Sequence, residues 1–136
     1  MILGIIQGRL LKPVGNHIQE FPDNWRHEFT LLEEAGLSHI EWLITRSSFD
    51  SNPIFFEDCG KYKISSLCAD NLVDKEFTSE YFLSENLDPI CKAAIKNKIE
   101  WITIPLLEES SISDKKVRKS YISRILKYAD KYPLLN

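Results

Sequence analysis

Apolar residues along the chain gather into short runs, separated by segments whose apolar positions repeat at helical spacing. Ile2-Leu3-Gly4-Ile5-Ile6-Gln7 is a nearly continuous run, which predicts a strand buried on both faces as in a parallel sheet. Gly8 to Phe21 is polar, with Pro13 and Gly15, and predicts a loop. Asp23 after Pro22 is a candidate helix cap, and Trp25, Phe29, Leu32 and Gly36 recur at spacings of four, three and four along one helix face. Gly36 supplies the left-handed stop. Ser38 to Leu43 predicts the second strand. Asn52-Pro53 opens a short helix that Gly60 closes, and Ile64 to Ala69 predicts the third strand. Asp70 to about Asn86 reads as a loop. Asp88-Pro89 then repeats the cap-and-proline signal before Ile90, Cys91, Ala94 and Ile95, with Asn97 as the stop. Ile99 to Ile104 predicts the fourth strand, ended by Pro105. Leu106 to Ile112 is a loop, Ser113 caps the last helix, and Val117, Tyr121, Ile125, Ala129 and Tyr132 form its apolar stripe up to Pro133.

Four strands alternating with helices, and no hairpin signal between them, predict an α/β fold with right-handed crossovers and a parallel sheet. The 136 residues suit one domain, 1–136, without a linker. A net charge of −3 gives no long-range attraction to nucleic acid or to acidic membranes, and no apolar run approaches the length of a bilayer span. The first six residues lack the basic region and cleavage site of a signal peptide. Cys59, Cys68 and Cys91 are odd in number and form no C-x-x-C pair, which predicts free thiols in a reducing cytoplasm and no structural zinc. Ile40-Glu41-Trp42 recurs as Ile99-Glu100-Trp101, but the copies sit at different depths in their strands and read as coincidence.

Ligands of parallel α/β proteins bind at the carboxyl ends of the strands, so the polar residues placed there carry the chemistry. Gln7 can donate to and accept from a sugar hydroxyl, and Arg9 can fork onto a phosphate or carboxylate. Against that stands a structural role, with Gln7 capping backbone groups and Arg9 pairing with an acid. Glu41 near the end of strand two could accept from a hydroxyl, orient Arg9 or sit in a partly buried ion pair. Asp70 follows strand three directly, where turn formation competes with ligand contact. Glu108 and Glu109 follow strand four. Paired carboxylates suit acid/base or metal chemistry, yet adjacent loop side chains diverge into solvent. His17, His27 and His39 form no ligand motif, and His17 is the one whose loop borders the presumed site. The basic residues of the last helix are diluted by Asp114 and Asp130 and read as a solvated outer face, not a nucleic-acid surface.

Gly4-x-x-Gln7-Gly8-Arg9-Leu10, Phe21-Pro22, Trp25, Glu28-Phe29, Gly36 and Ile40-Glu41-Trp42 together resemble the sugar phosphate isomerase/epimerase family of xylose isomerase-like TIM barrels. Ser66 to Asp70 and Ile102 to Glu108 look like its third and fourth strands. The resemblance implies metal-assisted proton transfer on a sugar or sugar phosphate. Gln7, Arg9, Glu41, Asp70 and Glu108 are the candidate substrate contacts; the first four, each at or just beyond a predicted strand end, are expected to converge at the carboxyl edge of the sheet, with Arg9 favouring a phosphorylated sugar. An eight-stranded barrel takes about 250 residues, so this chain matches the first half, four of the eight βα units. The family's divalent-metal ligands and its acid and base lie on the later strands. The resemblance therefore assigns no metal ligand, catalytic residue or cofactor to this chain, and implies that the chain alone is inactive. The alternatives are a noncatalytic sugar-binding or assembly half-barrel, and a truncated product without function. A half-barrel leaves Ile2 to Gln7 and Ile99 to Ile104 as open strand edges and one sheet face uncovered, which predicts a homodimer or a sticky, marginal monomer.

Overall fold

The structure is a computed structural model that describes residues 2–13, 15, 20–21 and 24–136. Its strands are β1 (Gly4–Ile6), β2 (His39–Ile44), β3 (Ile64–Ala69) and β4 (Trp101–Thr103). Between and after them lie α1 (His27–Glu34), α2 (Pro53–Phe56), α3 (Glu80–Lys96) and α4 (Lys115–Lys131). The four strands are all parallel and stand in sequence order, β1-β2-β3-β4. The chain is thus an α/β fold. Each crossover steps the same way along the sheet, and right-handed connections then put every helix on one face.

Side-chain burial shows that one-sidedness. In β2, Ile40, Trp42 and Ile44 are fully buried, while His39, Glu41 and Leu43 between them are only half-buried. Register carries the same division across the sheet: Trp42 stands level with Leu67 and Ile102, and Glu41 with Ser66 and Trp101. The covered face meets Leu83, Leu87, Ile90, Cys91 and Ala94 of α3 and Ile54 of α2 in one core. Trp25 joins it, with its ring 5.1 Å from that of Trp42 and 5.2 Å from that of Tyr62. Ile125, Tyr128 and Tyr132 bring α4 onto the same core.

Several local expectations hold. β3 has the expected bounds. Gly36, at φ 68°, ends the α1 segment. Asn52 caps α2, its Oδ1 accepting from Ile54 N at 3.2 Å with Pro53 in the first turn. Asn97 stops α3. The expected cap at Asp23 and its neighbour Pro22 lie outside the described residues, as does His17. Trp25 sits in the turn before α1 and not in the helix itself.

β1 is not buried on both faces as expected: Gly4 and Ile6 are exposed and Ile5 half-buried, because β1 stands at the sheet edge. Three further expectations are corrected. α3 begins at Glu80, capped by Ser79 accepting from Phe82 N, and Pro89 lies inside it. Proline in a helix costs a hydrogen bond, but burial of Leu83, Leu87, Ile90, Cys91 and Ala94 along one face outweighs it. Asp88 is therefore no cap: its carboxylate accepts from Lys131 and Lys92 and, at 2.5 Å, from the Tyr132 hydroxyl, tying α4 to α3. The cap of α4 is Asp114, accepting from Lys116 N and Val117 N at 2.8 and 2.9 Å, and not Ser113. Gly60 does not close α2, which ends at Phe56. It lets the chain pass Asn97, whose carbonyl oxygen would lie 2.9 Å from a Cβ at position 60.

The outer edge of β4 is not open. Asn136 N donates to Glu100 O at 2.7 Å, and Ile102 N donates to Asn136 O at 3.0 Å. This is the bonding of a parallel neighbour, so Asn136, five residues beyond the end of α4, lies beside β4 in the position of a next strand. The outer edge of β1 has no strand beside it among the described residues.

Candidate functional site

The β1–α1 junction is built around a buried acid. The Gln7 side chain is 1% exposed, and its Oε1 accepts from Leu43 N at 3.1 Å, replacing a strand–strand bond beyond the end of β1. Gly8, at φ 81°, turns the chain, a conformation that costs other residues about 1–2 kcal/mol. Glu28, also 1% exposed, accepts from Gly8 N at 2.9 Å and Leu10 N at 3.1 Å. Arg9 is exposed, and its Nη1 donates to Gln7 O at 3.3 Å. In this arrangement Gln7 caps backbone and Arg9 folds back on the turn.

The carboxyl ends of β2, β3 and β4 frame an open cleft of about 700 Å³, lined by Glu20, Thr45, Arg46, Ser47, Asp70, Val73, Leu107, Glu108 and Glu109. Thr45 follows β2 directly and donates from Oγ1 to Glu20 at 2.6 Å, while Ser48 Oγ accepts from Thr45 N at 3.0 Å. Arg46 donates to Val73 O at 3.0 Å and to Asp74 at 2.5 Å. Asp70 opens the short helical turn Asp70–Leu72 at the end of β3. Burial, then the negative charges of Glu20 and Glu108, push its carboxyl above the usual carboxylate range, with Arg46 pulling back weakly. Glu108 stands after β4 on a backbone of φ 50°, rare for a residue with a side chain. Glu109 pairs with Lys75 at 3.6 Å.

Glu41 belongs elsewhere. It lies on the uncovered sheet face, where its Oε1 accepts from Ser66 Oγ at 3.1 Å and Thr103 Oγ1 at 2.9 Å, a bridge across three strands. With Gly4, Ile6, His39 and Ser66 it lines a shallower hollow of that face. Of the four residues expected to converge, only Asp70 therefore lines the strand-end cleft, which it shares with the fifth candidate contact, Glu108. Gln7 lies buried in the sheet plane, Arg9 lines no part of the cleft, and Glu41 sits lower on the open face.

Sequence reading missed Glu20, Thr45 and Arg46 in the cleft, and Glu28 beneath the first loop. Thr45 and Arg46 follow a predicted strand and were legible by the same rule that selected Asp70. Glu20 and Glu28 carried no local signal, because the groups they accept from lie 25 and at least 18 residues away in sequence. Among the described residues, no three His, Cys, Asp or Glu side chains are disposed to share a metal ion. No helix among them is long and apolar enough to cross a membrane. No protein-family model matches the chain, and no curated protein is significantly similar to it.

Proposed function

We propose that the chain is the first four βα units of a sugar isomerase/epimerase-type barrel and that its strand-end cleft binds the carbohydrate. The observation that carries the reading is the cleft itself: hydroxyl and carboxylate groups of Thr45, Ser47, Asp70 and Glu108 gathered at the carboxyl ends of parallel strands. Such groups match the donors and acceptors of a polyol. Strand order β1-β2-β3-β4 with helices on one face, and Asn136 in the position of a next strand, are the winding of a barrel and support the half-barrel assignment. Asp70, half-buried at the end of β3, offers a carboxylate oxygen to accept from a sugar hydroxyl.

A divalent metal is implied by the family resemblance. The described residues offer no set of donors for one, so no step of the chemistry is assigned to this chain through a metal. The chain on its own binds sugar and does not turn it over. The lack of a donor set equally favours a noncatalytic carbohydrate-binding module, and the two readings separate on whether supplying the other barrel half creates turnover.

The test is saturation-transfer NMR of the purified chain with a panel of neutral aldoses and ketoses. Millimolar binding is expected, weakened about threefold to tenfold by Thr45→Val or Asp70→Asn, the loss of one hydrogen bond. No saturation of any sugar, or binding indifferent to both substitutions, would refute the reading.

A further inference from the structure

Resting on the carbohydrate reading above, we infer that the cleft takes unphosphorylated sugars and rejects sugar phosphates. The charges of its wall decide this. Glu20, Asp70, Glu108 and Glu109 bring four carboxylates to the lining against one guanidinium, that of Arg46, and beside the lining Lys75 pairs with Glu109 at 3.6 Å, so the surplus stays negative. Arg46 is already engaged, donating to Val73 O at 3.0 Å and to the Asp74 carboxylate at 2.5 Å. A phosphate entering there would meet acidic neighbours, with no uncommitted cation among the described lining residues.

Geometry also removes Arg9 as a holder of phosphate. Arg9, the cation that the sequence puts nearest the strand ends, is absent from the lining and donates to Gln7 O within its own turn. Glycine-rich turns can grip phosphate through backbone N–H groups. In the turn after β1, however, Gly8 N and Leu10 N are already taken by the buried Glu28 carboxylate, at 2.9 and 3.1 Å. The site is thus supplied with acceptors and hydroxyls, which suit a neutral polyol. A protonated amine on the sugar would gain from the same surplus of negative charge.

The experiment titrates the isotope-labelled chain with a hexose, its 2-amino analogue and its 6-phosphate at low salt, following amide shifts of Thr45, Asp70 and Glu108. The amino sugar should bind at least as tightly as the neutral one. The phosphate should bind at least about tenfold more weakly than either, from like-charge repulsion at short range. The gap should narrow at 0.5 M salt and in Asp70→Asn and Glu108→Gln, with folding checked by circular dichroism. A phosphate that shifts only amides outside the cleft also supports rejection. A phosphate bound in the cleft as tightly as the neutral sugar overturns this inference and leaves the carbohydrate reading standing. Failure of all three sugars to shift the cleft amides overturns the carbohydrate reading and this inference with it.

Discussion

Removing the Asn52 side chain should cost more than an ordinary helix cap, because one amide serves three groups, two of them buried. Asn52 is 0% exposed. Its Oδ1 accepts from Ile54 N at 3.2 Å and from the Trp42 indole Nε1 at 2.8 Å, and its Nδ2 donates to Leu43 O at 3.0 Å. Asn52→Ala loses the cap, about 1 kcal/mol. It also takes the partner from the buried indole N–H, at about 1–3 kcal/mol, and from a part-buried strand carbonyl, at about 1 kcal/mol. A net loss of about 3–5 kcal/mol follows, or roughly 10–20 °C in melting temperature for a domain of this size. Asn52→Ser restores only the cap and should recover about 1 kcal/mol of that loss. Urea unfolding followed by tryptophan fluorescence and far-UV circular dichroism measures both. Because Leu43 lies two residues before Thr45, the alanine variant should also weaken sugar binding in the cleft. A cost below 1 kcal/mol for Asn52→Ala, or a serine variant no better than alanine, would show that the triple engagement is not what stabilises this strand end.

Acid should loosen α4 from α3 through Asp88. Burial acts to raise its carboxyl, but hydrogen bonds from Lys131, Lys92 and Tyr132 together outweigh burial and hold it well below the usual carboxylate range. A depressed folded-state value means that the stabilisation is complete above the unfolded value of about 4 and declines as pH falls below it. Urea midpoints between pH 6 and 2 should therefore fall more steeply for the native chain than for Asp88→Asn, and parallel curves would count against the linkage. Burial pushes the thiols of Cys59 and Cys68 up to about 11 and that of Cys91 to about 12. All three should react slowly with a disulfide reagent at pH 8 and fast in urea. Cys68, on the uncovered sheet face, should be the first to react in the native state. Finally, Ile2 is 81% exposed, Leu3 50% and Ile6 42% along the unpaired edge of β1. Sedimentation should show self-association at micromolar concentration that Ile6→Lys reduces, since a lysine blunts a strand edge. A single monomeric species would dispose of that edge as a contact.

Strand positions, the caps at Asn52 and Gly36 and the parallel α/β class were legible in the chain, because each is a short-range matter of period, turn chemistry and propensity. So was the choice of strand ends, which picked out Asp70 and Glu108 of the cleft. The start of α3 was not. A proline after an aspartate reads as a helix opening on local rules, and only the apolar face packed on the sheet carries the helix through Pro89. Nor was the role of Asp88, whose partners Lys131 and Tyr132 lie more than forty residues away. The Gln7-Gly8-Arg9 stretch was visible as unusual, but whether it faces a ligand or its own backbone depended on Glu28 arriving from the next helix.

The two Ile-Glu-Trp triplets mark the boundary most plainly. In β2 the tryptophan, Trp42, is fully buried beneath α2 and beside Trp25, while Glu41 faces the open side. In the second copy Trp101 is 58% exposed, because β4 pairs with β3 so that Trp101 stands level with Glu41 and not with Trp42. A shift of one residue in parallel register turns every side chain to the other face. Ile40 and Ile99 are buried in both copies, but of the second triplet only Trp101 lies within its strand. Which of their side chains joined the core, and which were left for a partner or a ligand, was decided only when the sheet assembled.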